Sequence, residues 1–285
     1  MQIIILFFIG AIGGLLAGLL GVGGGLIFIP VIEHYLQPQH LTSVENVKYI
    51  LANSIAIVFA SGLSGIYRQI KMGTWQWKMS LWVGIPGALA SYCTTLAIQQ
   101  GQWYQKEKFQ WVFLGFLLIS IANMIWGKNK NESIPPENQN SQQNNYPTWK
   151  ILTIGIFAGT TVALSGLGGG MIMVPLFRLV LKKPMKQATA LSLSIVPMLA
   201  IASLSTYGLS EPSQLITFAP SLLGEFTQWG YLYLPIILPM VTATFITTSF
   251  AQKNAKFIPV LWLRIIFALL SASIFIKTLY EIYQS

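Results

Sequence analysis

Residues 14–30 read GLLAGLLGVGGGLIFIP, and residues 159–175 read GTTVALSGLGGGMIMVP. The offset between them is 145 residues throughout. Over 9–36 against 154–181, 11 of 28 positions are identical without a gap, where chance would give roughly two or three. The matches include Gly10/Gly155, Gly14/Gly159, Gly21/Gly166, Gly23/Gly168, Gly24/Gly169, Gly25/Gly170 and Pro30/Pro175. A duplication is the simplest account. The similarity continues beyond the glycines: Lys48 to Ser54 faces Lys186 to Ser192, and Gly84-Ile85-Pro86 faces Ile237-Leu238-Pro239.

The first glycine cluster lies inside an apolar run, 3–32. Glycine costs a helix interior about 1 kcal/mol relative to alanine, so the run is expected to break at Gly23-Gly24-Gly25. The piece after it, 26–36, is about 16 Å long if helical, half a bilayer. A break frees backbone N–H and C=O groups, which hydrocarbon cannot satisfy; such a segment survives only inside protein or beside a wet cavity. The N-terminus of the half-helix then aims its free N–H groups and positive dipole end at that place. Two copies would aim two such ends at one point, an anion site without charged side chains. The competing reading of each glycine is close helix packing through Gly-x-x-x-Gly spacings such as Gly10/Gly14. Pro30 and Pro175, about a turn into the half-helices, are expected to set a kink.

Composition places this argument in a membrane. Of 285 residues, 54% are apolar and 9% are charged, against roughly 25% charged in a soluble domain. Mean hydropathy is +0.61. This excludes a disordered chain, a nucleic-acid binder and an ordinary cytosolic enzyme. Eight stretches have the length and apolarity of spans: 2–20, 46–67, 79–99, 109–127, 150–166, 188–207, 230–250 and 257–280. The expected fold is an all-α polytopic membrane protein of about eight transmembrane helices, in two four-helix repeats with broken or re-entrant glycine segments. A stretch rich in Asn, Gln and Pro at 128–149 cannot form a core and reads as a linker. It divides the chain into a first repeat at 1–127 and a second at 150–285. A ninth stretch, 212–226, holds Pro212, Pro220 and Glu225 and reads as re-entrant or surface-lying. The N-terminus lacks the basic start of a signal peptide and reads as a retained first span.

Tryptophans 75, 77, 103, 126, 149 and 229 fall near span ends, as in an interfacial belt. The net charge is +9. Sorting the basic residues over eight simple crossings gives a weak sidedness. Corresponding loops of the two halves differ in opposite senses, which hints at inversion; inversion needs an odd number of crossings per half. Orientation stays open.

Beside the backbone of Gly23, Gly24, Gly25, Gly168, Gly169 and Gly170, the side chains of Asn53, Ser54, Ser192 and Ser194 are candidate donors to an oxyanion, with Thr189 nearby. Interhelical bonds or back-bonds to helix carbonyls are the competing reading. Glu33, His34 and Glu45 form the one cluster of titratable groups; a solvated loop is the simpler reading and a proton relay the other. Gly62-Leu63-Ser64-Gly65 resembles the serine motif of rhomboid proteases, but His34 and His40 both precede it, and a serine without a base is a weak nucleophile. One cysteine, Cys93, permits no intrachain disulfide or cysteine zinc site. No metal or cofactor is expected. The expected partners are a small anion and the lipid bilayer, not nucleic acid, with self-association left open.

The paired Gly-x-Gly-Gly-Gly segments, each with a proline five residues later, resemble the TauE/SafE family of membrane transporters. So do the second-span patterns ending at Ser54 and Ser192. The resemblance implies a carrier in the bacterial inner membrane for sulfur-containing anions such as sulfite, sulfonates or sulfoacetate, often discussed as an exporter. Leu191 stands where the first half has Asn53, so the halves would contribute unequally. The working expectation is a secondary anion transporter with alternating access around a central site. An anion channel and, far behind, an intramembrane hydrolase are the alternatives.

Overall fold

The computed structural model describes residues 2–21, 23–39, 41–126, 147–216, 228–255 and 260–284. The linker expected at 128–149 falls outside them up to residue 146, and so does 217–226 of the ninth stretch. The described chain is helical apart from one small hairpin. Its elements are α1 (Gln2–Leu20), α2 (Gly25–Leu36), α3 (Ser43–Lys71), α4 (Trp77–Gln100), α5 (Lys106–Trp126), α6 (Thr148–Ser165), α7 (Gly170–Leu179), α8 (Met185–Leu209), β1 (Gln228–Trp229), β2 (Leu232–Tyr233), α9 (Leu234–Asn254) and α10 (Val260–Gln284).

Six of these helices, α1, α3, α4, α6, α8 and α9, are long and apolar enough to cross a membrane. The protein is thus an all-α membrane protein. Each of the eight expected segments falls on a helix, including α5 and α10, which pack on each other. The four-helix count per half was short by one: α2 and α7 are separate half-length helices of 12 and 10 residues. The order long, short, long, long, long therefore occurs twice, over α1–α5 and α6–α10.

Contacts fix the directions of the helices. In α3 and α8, Gly62 meets Pro197, Gly65 meets Leu193, and Gln69 bonds the Ala190 carbonyl, so the two run antiparallel. Helices α4 and α8 run parallel, pairing Ser80 with Ser194 and Ser91 with Ser203. Helix α3 runs with α9, from the Asn53–Tyr233 bond to the Ser64–Phe245 bond. Helix α1 also runs with α9: Gly10 lies on Met240, Gly14 on Thr244 and Gly18 on Thr248. Likewise α6 runs with α4, with Gly155 on Val83 and Gly159 on Gly87. Hence α1, α3 and α9 point one way and α4, α6 and α8 the other. Segments α2 and α7 turn back within the bundle, so α1 and α3 share a direction without a further full crossing between them.

This sorts the charges far better than eight simple crossings do. Arg68, Lys71 and Lys78 flank the α3–α4 turn, Lys150 heads α6, Arg178 ends α7, Lys182, Lys183 and Lys186 lead into α8, and Lys253 ends α9. All lie on one face, here the basic face. The opposite face carries the hairpin and mixes signs, with Glu33, Glu45, Lys48, Lys106, Glu107, Lys108 and Glu211. Simple crossings blur this division because a half-helix that turns back moves all later loops to the other face. Exposed Trp75, Trp77 and Trp149 mark the basic face, and exposed Trp103 and Trp229 the hairpin face, two bands at headgroup level.

The glycines on α1 and α6 do what close packing requires. A Cβ on Gly10 would lie 2.7 Å from the Met240 backbone, and one on Gly159 would overlap the Gly87 carbonyl. Thr244 and Thr248 use the close approach to donate to the Gly10 and Gly14 carbonyls, at 2.9 and 3.0 Å. Gly10→Ala and Gly159→Ala are each expected to cost about 1–3 kcal/mol through overpacking and to lower the melting temperature of detergent-purified protein. Gly115→Ala on α5, where an added Cβ meets nothing within 4 Å, should leave it unchanged. Three equal melting temperatures would contradict this packing.

Candidate functional site

The helix breaks fall at the two glycine clusters. Gly21, Gly23 and Gly24 have φ of 73°, 82° and 74°; Gly166, Gly168 and Gly169 have 67°, 85° and 67°. An L-residue pays about 1–2 kcal/mol in this left-handed region, so the sequence needs glycine at these six positions. Helix α2 starts with Ile27 and Phe28 N–H bonding the Gly24 carbonyl, and α7 with Ile172 and Met173 bonding Gly169. Among the described residues, the N–H groups of Gly24, Gly25, Gly169 and Gly170 donate to no backbone or side-chain acceptor. These are the donors a helix start leaves over, and two such starts lie side by side.

The two turns touch. A Cβ on Gly23 would sit 3.2 Å from the Leu167 carbonyl, and one on Gly25 would sit 2.7 Å from the Leu167 Cα. Val58, 0% exposed at mid-length of α3, packs against both Gly23 and Gly168. The second spans brace the turns crosswise. Ser192 of α8 donates to the Gly21 carbonyl at 2.9 Å, and Thr189 packs on the same glycine. Ser54 and Leu51 of α3 pack in the same way on Gly166. Ser54 donates to the Leu51 carbonyl at 3.1 Å, and Ser61 to Val58 at 2.7 Å. The Thr189 hydroxyl is buried and has no partner among the described residues.

The structure thus brings Gly23, Gly24, Gly25, Gly168, Gly169, Gly170, Ser54 and Ser192 together. It places Asn53 and Ser194 otherwise. Ser194 pairs with Ser80 at 2.7 Å between α8 and α4 and donates to Leu191. Asn53 is fully occupied: its amide donates to the Tyr49 and Tyr231 carbonyls at 2.7 and 3.1 Å, and its carbonyl accepts from Tyr233 N–H at 2.9 Å. It grips the β1–β2 hairpin. Ser64, the serine of the protease-like motif, donates to the Phe245 carbonyl between α3 and α9. No group of three or more His, Cys, Asp or Glu among the described residues is placed to hold a metal.

The hairpin is the part of the site that sequence reading missed. Gly230, at φ 54°, lets it turn tightly against the carbonyls of Tyr207, Gly208 and Ser210 at the end of α8. Tyr231 packs edge-on against Tyr49 and Tyr207 and donates to Glu45 at 3.2 Å. Burial, then the Glu45 carboxylate, push its phenol above the usual range, so it stays a donor. Gln228 donates to Tyr49 Oη and to the Gly230 carbonyl. Glu45 also meets Lys48 at 3.2 Å, and Glu33 meets Lys106 at 2.9 Å. The solvated-loop reading of the acidic cluster is therefore wrong for two of its members: Glu33 and Glu45 are 8% and 5% exposed, while His34 points outward. Lys106 of α5 and Tyr231 of the hairpin, which meet Glu33 and Glu45, are beyond the reach of local sequence; Lys48, three residues from Glu45 on α3, is not. Asn53→Leu, which copies Leu191, strands the Tyr233 N–H and the Tyr231 carbonyl at about 1–3 kcal/mol each. Faster hydrogen exchange over 228–233 is expected; unchanged exchange would remove Asn53 as the latch.

Several known proteins are similar to this chain over most of its length. A probable membrane transporter of Methanocaldococcus jannaschii is 24% identical over 256 residues, covering 90% of this chain and 87% of that protein. One from Haemophilus influenzae is 24% identical over 267 residues, 94% of each chain. The probable membrane transporter YunE of Bacillus subtilis is 27% identical over 210 residues, 69% of this chain and 74% of its own. No solved structure matches the chain. The sequence pattern of the sulfite exporter TauE/SafE family matches residues 6–278, and the chain, a multi-pass membrane transporter by that kinship, belongs to this family.

Proposed function

We propose that the protein is a secondary transporter for small sulfur-containing anions of the sulfite, sulfonate or sulfoacetate type, working by alternating access. The observation that carries this reading is the meeting of two left-handed glycine turns, each opening a half-helix with unspent N–H groups. Paired N-terminal dipole ends favour a negative guest, and the glycines let it approach the backbone. Ser54 and Ser192 set the turns, and the Thr189 hydroxyl, without a partner among the described residues, is a further donor beside them. Residues 1–127 and 150–285 act as inverted repeats joined by the linker 128–149, with the antiparallel α3 and α8 as counterparts. No ATP-binding motif is present in the sequence, which leaves a gradient as the driving force.

Alternating access requires the two faces to be unequal in any one state. Lys48 and Lys186 stand at matching positions, yet Lys48 is 8% exposed beneath the hairpin while Lys186 is exposed on the basic face. The burial of Lys48 supports a conformation closed on the hairpin face. The positive-inside rule assigns the basic face to the cytoplasm of a bacterial cell.

Two experiments test the reading. In proteoliposomes loaded with labelled sulfite or a sulfonate, Gly24→Ala and Gly169→Ala should each reduce saturable counterflow about tenfold or more, given a backbone penalty of about 1–2 kcal/mol per site at the binding turns. Folded variants with wild-type flux would refute the site. For orientation, with Cys93 replaced by serine, a cysteine at Lys182 should react with a membrane-impermeant maleimide only after cells are permeabilised. A cysteine at Gln214 should react in intact cells. The reverse pattern would invert the assignment.

A further inference from the structure

The pair under the hairpin is oddly incomplete for a purely structural contact. Glu45 Oε1 takes both the Lys48 ammonium and the Tyr231 hydroxyl, at 3.2 Å each. Glu45 Oε2 is buried and has no partner among the described residues. The Lys48 ammonium has three donors, yet Glu45 is its one hydrogen-bonding partner among the described residues; the Tyr231 ring lies 5.6 Å away. Buried charge is costly unless fully paired. The hairpin has an uncharged grip already, in Asn53, Tyr49 and Gln228. Holding it does not require an ion pair.

The location gives the pair a second use. Lys48 sits one turn of α3 before Leu51, whose side chain packs on Gly166. It therefore lies between the glycine turns and the hairpin face. Extending the match of Lys48 with Lys186 back three residues sets Glu45 against Lys183. At the basic mouth two lysines stand where the hairpin mouth has one lysine and a carboxylate. The groups facing Glu45 are Lys48 and Tyr49 on its own helix and Tyr231 from the hairpin, with Tyr207 of α8 behind Tyr231. The Glu33–Lys106 pair joins α2 to α5 near Ser43, at the head of α3, and is itself neutral.

We infer that Lys48 is an anion-binding site switched by Glu45: the carboxylate occupies the anion's place, and its protonation hands Lys48 to a small oxyanion, so that one proton travels with each anion. The inference rests on the anion-transport reading and adds the coupling ion. With Glu45 ionised, an incoming anion competes with a built-in one. With Glu45 protonated, Lys48 needs a negative partner, and the Tyr231 bond to the carboxylate weakens. Linkage then demands that the anion raise proton affinity as the proton raises anion affinity. Apparent anion affinity should rise as pH falls, with a limiting slope of about tenfold per pH unit for one coupled proton.

The test uses full-length protein in proteoliposomes with a trapped pH dye and methanesulfonate, an anion that stays ionised across the range used. An inward methanesulfonate gradient should acidify the lumen in the wild type, with about one proton per anion. Glu45→Gln keeps an acceptor for Tyr231; it should carry methanesulfonate without acidification and with no pH dependence of apparent affinity. Lys48→Met should lose at least about tenfold in flux at low pH. Wild-type flux without acidification overturns this inference and leaves anion transport standing, and it needs no variant to fold. Acidification that persists in Glu45→Gln overturns it as well. Absence of flux for methanesulfonate, sulfite and sulfoacetate alike overturns the transport reading and this one together.

Discussion

Backbone that leaves a helix inside a membrane must be enclosed by protein, because hydrocarbon offers it no hydrogen bonds. Both glycine turns obey this by covering each other. Gly23 and Gly25 lie against Leu167 and Gly168, Val58 fills the side, and serine or threonine from the opposing second span sits on each turn. The remaining architecture results from making that burial work. Helices α2 and α7 turn back because the chain reverses at the break, and α3 and α8 cross antiparallel because each must brace the other's turn.

Much of this was legible in the sequence because it rests on residue type. Positive φ selects glycine, so a duplicated run of glycines with a proline behind it announced two breaks and two half-helices. Close packing selects glycine too, and the Gly10/Gly14 spacing marked a close-packed face, though not that α9 is its partner. Directions were not legible: a returning half-helix reverses the side of every later loop, and no local property of Ile27 or Met171 reveals whether its helix crosses or turns back. The role of Asn53 was also hidden. A buried amide at mid-span reads equally well as a ligand donor or a latch, and its hairpin partners lie 178 and 180 residues away. The hairpin's strands are two residues each, too short for any alternating pattern to register.

The two faces differ in chemistry as well as cover. On one, Arg68, Lys71, Lys182 and Lys186 stand without an acidic neighbour among the described residues. On the other, each buried charge meets an opposite one, Glu45 with Lys48 and Glu33 with Lys106. A short turn joins α3 to α4, whereas a much longer stretch separates α8 from α9, and its β1–β2 hairpin packs on α3 and the end of α8. Near-symmetry in the helices is thus combined with inequality in the loops.

The contact between the turns is peptide against peptide, with almost no side chain between them. Interlocked side chains resist sliding because each must leave its slot before the next position is reached. Bare main chain has no such teeth. The centre of the molecule is therefore a seam of main chain on main chain, two smooth surfaces meeting like the faces of a jewel bearing.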